Sequence, residues 1–183
     1  MSGGHGHGAH GGDNKAVALI ISVLALMLAV AEILGQKAQT QTLQSNIEAS
    51  NLWSFFQAKT VRRTIADTAA DELETLLVGV TNEAQRKAMT DRIARFRATA
   101  QRMESEPDTG EGRRELIVKA KAAEALRDKA GKKHYRFELA SGSFQIAIVI
   151  ASASIITGIA AMLWGAGGLA VLGVGFLLGG LFA

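Results

Sequence analysis

LASGSFQIAIVIASASIITGIAAMLWGAGGLAVLGVGFLLGGLFA, residues 139–183, contains no Asp, Glu, Lys, Arg or His. A helix needs about 20 apolar residues to cross roughly 30 Å of hydrocarbon, so this stretch holds enough for two crossings. Its composition divides it into a span over residues 143–164, a tight turn at Trp164-Gly165-Ala166-Gly167-Gly168, and a short span over 168–183. The last segment is barely long enough to cross and is short enough to be re-entrant.

Upstream, residues 15–35 form a third apolar stretch, interrupted inside only by Ser22 and Glu32. Ala29-Val30-Ala31 imitates a signal-peptidase site. The preceding flank, however, is glycine and histidine with a single Lys15 rather than a basic region, so the segment reads as a retained transmembrane helix. Glu32 is the one acid within any span. It is a candidate intramembrane functional acid, although Gln36-Lys37 lies one turn away, which favours an interfacial carboxylate.

Between the first and second spans, residues 36–142 carry 19 Lys and Arg against 15 Asp and Glu; outside them stand only Lys15, Asp13 and Glu32. Nearly all positive charge therefore falls on one side. The positive-inside rule assigns that side to the cytoplasm and the amino-terminal tail to the periplasm. There are no cysteines, which excludes disulfides and thiolate metal sites.

The middle segment reads as helical. Residues 36–80 lack proline and space Leu43, Ile47, Ser50/Asn51, Ser54, Ala58, Val61, Ile65, Thr68, Glu72/Leu73, Leu76 and Val80 in a heptad-like stripe with polar lapses. Asn82 with Gln85 three residues on is a cap signal, and Met89, Ile93, Phe96, Ala100 and Met103 predict an amphipathic helix. Ser105 to Gly112 is a loop around Pro107, the only proline. A further helix from Arg113 is expected to run through Gly131 and Gly142 into the second span. The expected fold is all-α: three transmembrane helices, with a cytoplasmic helical-hairpin or coiled-coil stalk between the first and second. Within the last two spans, Ala147/Ala151, Ser154/Gly158 and Gly175/Gly179 place small residues four apart, a spacing that permits close helix approach.

Residues 1–14 form a Gly/His tail in which His5, His7 and His10 are candidate ligands for a divalent metal; no other cofactor is expected. The Gly-rich run in the last span lacks the Lys and Ser/Thr of a phosphate-binding loop. His134, the one histidine outside the tail, sits among Lys132, Lys133 and Arg136 without a nucleophile beside it and reads as interfacial. The acids Asp71/Glu72/Glu74 and Glu104/Glu106/Asp108 read as solvated charge, and the mixed charges around Arg92, Arg95, Arg97 and Arg102 argue against nucleic acid. No enzyme is expected.

The run Ile47-Glu48-Ala49-Ser50-Asn51-Leu52-Trp53-Ser54-Phe55-Phe56-Gln57-Ala58-Lys59, beyond an early span and a His-rich tail, resembles a bacterial membrane-protein family filed as domain of unknown function DUF4337. The resemblance implies an inner-membrane protein with no established activity. The residues themselves suggest that Trp53, Phe55 and Phe56 pack against the returning helix or a neighbouring subunit, with Gln57 and Lys59 hydrogen-bonding at that seam. Three functional readings follow: a self-associating scaffold or docking element, an oligomeric channel or pore, and a metal-binding accessory or sensor protein. The expected partners are the bilayer, further copies of the chain, and another membrane or cytoplasmic protein.

Overall fold

From Lys15 to Leu77 the chain has no proline and is rich in Ala and Leu, which favour helix. A computed structural model describes residues 10–183, with side chains from Lys15 onward. Its first element is one unbroken helix, α1, His10–Leu77. Three more follow: α2 Glu83–Glu104, α3 Arg113–Thr157 and α4 Ala161–Leu181. The described residues contain no strand. Asn82 caps α2 as its position predicts, its Oδ1 accepting from the amides of Ala84 and Gln85 at 3.0 and 3.1 Å. α3 passes through Gly131 and Gly142 without a break.

Three helices are long and apolar enough to cross a membrane: α1 through its early part, α3 through its later part, and α4. The break between α3 and α4 corrects the expected turn at Trp164–Gly168. It falls instead at Gly158–Ala160, because Gly158 takes φ +70°, a left-handed conformation that costs a residue with a Cβ about 1 kcal/mol or more. The glycines at 165, 167 and 168 are helical, and Ala166 among them is buried. α4 is consequently 21 residues long, longer than the short span expected.

The chain divides into two compact units: the early part of α1 with residues 128–183, and residues 43–127. In the first unit, Leu24, Ala31 and Ala38 of α1, Phe137, Ala140, Phe144 and Ala147 of α3, and Leu177 of α4 form one cluster. Val17, Ala151 and Ala166 form a second. In the other unit, α1 carries buried Ala49, Ala66 and Ala70, α2 buried Ala100, and α3 buried Leu116, Ala120 and Ala123. Met89, Ile93, Phe96 and Met103 are half-buried, on the α2 face that their spacing predicts.

The buried side of α1 repeats every seven residues. Val17, Leu24, Ala31, Ala38, Ser45, Lys59 and Ala66 are all buried, and Gly35, Ala49 and Ala70 are their buried companions four residues on. This is not the stripe that sequence hydrophobicity selects. Leu43, Ile47, Val61, Ile65 and Leu76 are between 58 and 63% exposed, and Ser50, Ser54, Ala58 and Thr68 between them are exposed too. Beyond Leu24, small side chains predominate in the buried seam because they let helices approach closely, and Leu43, Ile47, Val61, Ile65 and Leu76 face outward.

Candidate functional site

The residues of the second unit that carry chemistry gather where α2 gives way to α3. Ser105 Oγ donates to Glu115 Oε1 at 2.7 Å, and the Glu106 amide donates to Glu115 Oε2 at 3.3 Å. Glu115 stands in the first turn of α3, where an anion also meets the positive end of the helix dipole. A Cβ on buried Gly112 would run into the Glu115 carboxylate and the Glu106 amide, so the loop closes only on glycine there.

This loop is anchored to α1 by charge. Lys59 is 5% exposed and donates to Glu106 Oε2 at 3.3 Å, with its ammonium 5.4 Å from the centre of the Phe55 ring. Glu104 accepts hydrogen bonds from Arg113 at 2.6 Å and Arg114 at 3.2 Å and forms an ion pair with Arg63 at 3.1 Å. Arg113 also donates to Thr60 Oγ1 at 2.9 Å and lies 4.9 Å from the Phe56 ring centre. Trp53 meets Phe56 edge-on, centroids 5.5 Å apart, and donates its indole N–H to Glu124 Oε1 of α3 at 2.9 Å.

These charges set the carboxyl groups. Partial burial pushes Glu104 up, but the hydrogen bond from Arg114 and the charges of Arg113 and Arg63 outweigh it, leaving it below the ordinary value of 4.5. The hydrogen bond from Lys59 lowers Glu106, and that from the Ser105 hydroxyl lowers Glu115. Farther along, Arg97 of α2 bridges Asp67, Asp71 and Glu74 of α1, and its hydrogen bonds to Asp71 and Glu74 raise its own pKa. The acids expected to be merely solvated thus include four, Asp71, Glu74, Glu104 and Glu106, that tie helices together. Their signal in the sequence is weak, because the partners that tie them to α1 or α2 lie far off, 47 residues for Lys59–Glu106 and 26 for Arg97–Asp71. Asp108 and Glu72 are exposed.

The expected aromatic seam places Trp53, Phe55 and Phe56 half-buried and Lys59 buried; Gln57 is exposed. Sequence reasoning missed Glu106, Glu124 and Arg113 as the partners of Lys59, Trp53 and Phe56.

In the first unit a polar layer crosses the three apolar helices. His134 Nδ1–H of α3 donates to the Gly35 carbonyl of α1 at 3.1 Å; only this tautomer fits, since a carbonyl cannot donate. The Arg136 guanidinium donates to the Gly179 carbonyl, one of the last four of α4, which have no partner within the helix. Glu32 is exposed and accepts from Gln145 Nε2 at 3.3 Å. It lines a cavity of about 310 Å³ with Gln36, Gln39, His134, Phe137 and Glu138.

Within the chain, close helix approach is made at Gly173 and Gly180. Gly173 and Gly180 are buried under Phe144 and Phe137, whereas Gly175 faces open space, Gly179 touches Arg136, and Gly158 is exposed in the turn. Ala147 and Ala151 are both fully buried. His5 and His7 lie outside the described residues, as does the side chain of His10. Among the described residues no group of three His, Cys, Asp or Glu side chains is placed to hold a metal.

These features define an all-α protein with three helices suited to crossing a membrane and a polar helical unit held together by ion pairs. The chain belongs to the family described as domain of unknown function DUF4337, whose model matches residues 13–183. No curated protein and no solved structure matches it.

Proposed function

We propose that this is a non-enzymatic, self-associating protein of the bacterial inner membrane. In this reading residues 36–142 form a cytoplasmic stalk that scaffolds or docks other components, and the amino-terminal tail is periplasmic. The observation that carries the proposal is the outer stripe of α1. Leu43, Ile47, Val61, Ile65 and Leu76 recur at helical spacing on the side away from the buried seam. A helix facing only water places charged residues there. The exposed small residues Ser50, Ser54, Ala58 and Thr68 leave room for a second helix to come close, and a groove of about 450 Å³ lies at Ile47, Asn51, Leu52 and Phe55. A further copy of the chain supplies the matching stripe in the same register, the usual closed arrangement of homo-oligomers.

The chain has no native cysteine, which permits a clean test. In membranes, Ile65→Cys should yield an oxidant-dependent cross-linked dimer, and a cysteine replacing buried Ala66 should not. Equal cross-linking at both positions, or none at Ile65, would remove this reading.

A further inference from the structure

Within the first unit the three candidate membrane helices reach a common level. His134 bonds to Gly35, the Phe137 ring covers Gly180, and Arg136 bonds to the Gly179 carbonyl. On one side of this level α3 is uncharged from Leu139 on; α4 ends at Leu181; on the other side α1 turns polar at Gln36-Lys37. It is the layer where hydrocarbon would give way to headgroups.

Just outside it, α3 carries Lys129, Lys132, Lys133 and Arg136, spaced i, i+3, i+4, i+7 and so on one helix face. Lys129, Lys132 and Arg136 are exposed and Lys133 half-buried; Lys37 of α1 is exposed at the same level, as is Tyr135. Among the described residues none of these four lysines forms an ion pair. In the other unit, by contrast, Lys59, Arg63, Arg97, Arg102, Arg113 and Arg114 are all engaged by carboxylates. The acids of this unit with described side chains are Asp128, Glu138 and Glu32, and the last two line the cavity beside α1. Cations therefore outnumber acids in this layer.

We propose that this face binds the phosphate headgroups of anionic phospholipids in the adjoining leaflet. Lysine has the right shape for such a contact, because its flexible apolar stem lies along the helix while the ammonium reaches the headgroup plane. Clusters of four or more Lys and Arg beside a membrane helix attract anionic lipid, and an exposed tyrosine belongs to the same interfacial belt. The Arg136 bond to α4 fixes the orientation of this face relative to the layer. The inference rests on the membrane placement proposed above and not on self-association, so a monomeric protein leaves it standing.

The test uses the full chain in nanodiscs of mixed phosphatidylcholine and phosphatidylglycerol, with retained lipids counted by native mass spectrometry. The wild type should retain phosphatidylglycerol over phosphatidylcholine by roughly tenfold. The triple variant Lys129→Gln/Lys132→Gln/Lys133→Gln, which keeps Arg136 in place, should lose most of that preference. The charge-matched control Lys87→Gln/Arg92→Gln/Arg95→Gln should keep it. No preference in the wild type, retention in the first variant, or equal loss in the control would overturn the assignment. So would thermal stabilisation by inorganic phosphate equal to that by phosphatidylglycerol at matched phosphate.

Discussion

The Phe144 ring of α3 lies so close over Gly173 of α4 that a Cβ on the glycine would stand 2.7 Å from Cε1. Phe144 is fully buried, so the ring has nowhere to go. Gly173→Ala should destabilise the membrane unit by roughly 1–3 kcal/mol, the usual cost of overpacking, and Phe144→Leu should restore part of it. Gly175→Ala, which meets nothing within the chain, should leave thermal stability unchanged. Thermal unfolding in detergent distinguishes the two.

Lys59 and Glu106 are expected to respond unequally to mutation. Glu106→Ala leaves a buried ammonium without its carboxylate, whereas Lys59→Met keeps the stem and removes the charge. Glu106 then still has Arg102 at 3.3 Å. Losing one partner of a buried pair costs more than replacing the charge with apolar bulk. The melting temperature should therefore fall further for Glu106→Ala than for Lys59→Met, and the reverse order would contradict the burial of Lys59.

Trp53 separates its ring from its N–H. Trp53→Phe removes the bond to Glu124 and should cost about 1 kcal/mol. Trp53→Ala also removes the edge contact with Phe56 and should cost roughly 2–3 kcal/mol for a half-buried aromatic. Chemical denaturation followed by helical circular dichroism measures both. No loss for Trp53→Phe would place the indole N–H in solvent, and equal losses would leave the edge contact with Phe56 without weight.

Acid should loosen the ion-paired unit. Glu104, Glu106 and Glu115 hold protons less tightly folded than unfolded, so between their folded values and about 4.5 the unfolded chain binds more protons. Stability contributed by these groups is complete above that range and is lost as pH falls through the folded values. Melting temperature should be flat with respect to these groups near neutrality and decline below about pH 4.5. The decline should be shallower in a Glu104→Gln/Glu115→Gln variant.

Much of this architecture is legible in the sequence where signals are local: the Asn82 cap, the loop at Pro107, the α2 stripe and the uncharged end of the chain. The turn after α3 is less so, because Gly158 and the glycines at 165, 167 and 168 look alike until one of them is needed at positive φ. The α1 seam is hidden for a different reason. Beyond Leu24 its buried positions are Gly, Ala, Ser and even Lys59, suited to close approach and to a distant carboxylate, while the conspicuous aliphatic residues Leu43, Ile47, Val61 and Ile65 face away. Hydrophobicity alone therefore selects the outer stripe, and the Lys59–Glu106 and Trp53–Glu124 pairs, 47 and 71 residues apart, leave no periodic trace.

The central claim, that the outer stripe of α1 joins copies of the chain, is tested most directly by the mass of the nanodisc-held particle in native mass spectrometry. The wild type should be one defined multimer of the 19.3 kDa chain, and Ile47→Asn/Ile65→Asn should reduce it to monomer with its helical circular dichroism intact. A monomeric wild type, or an unchanged multimer in the double variant, would contradict the claim.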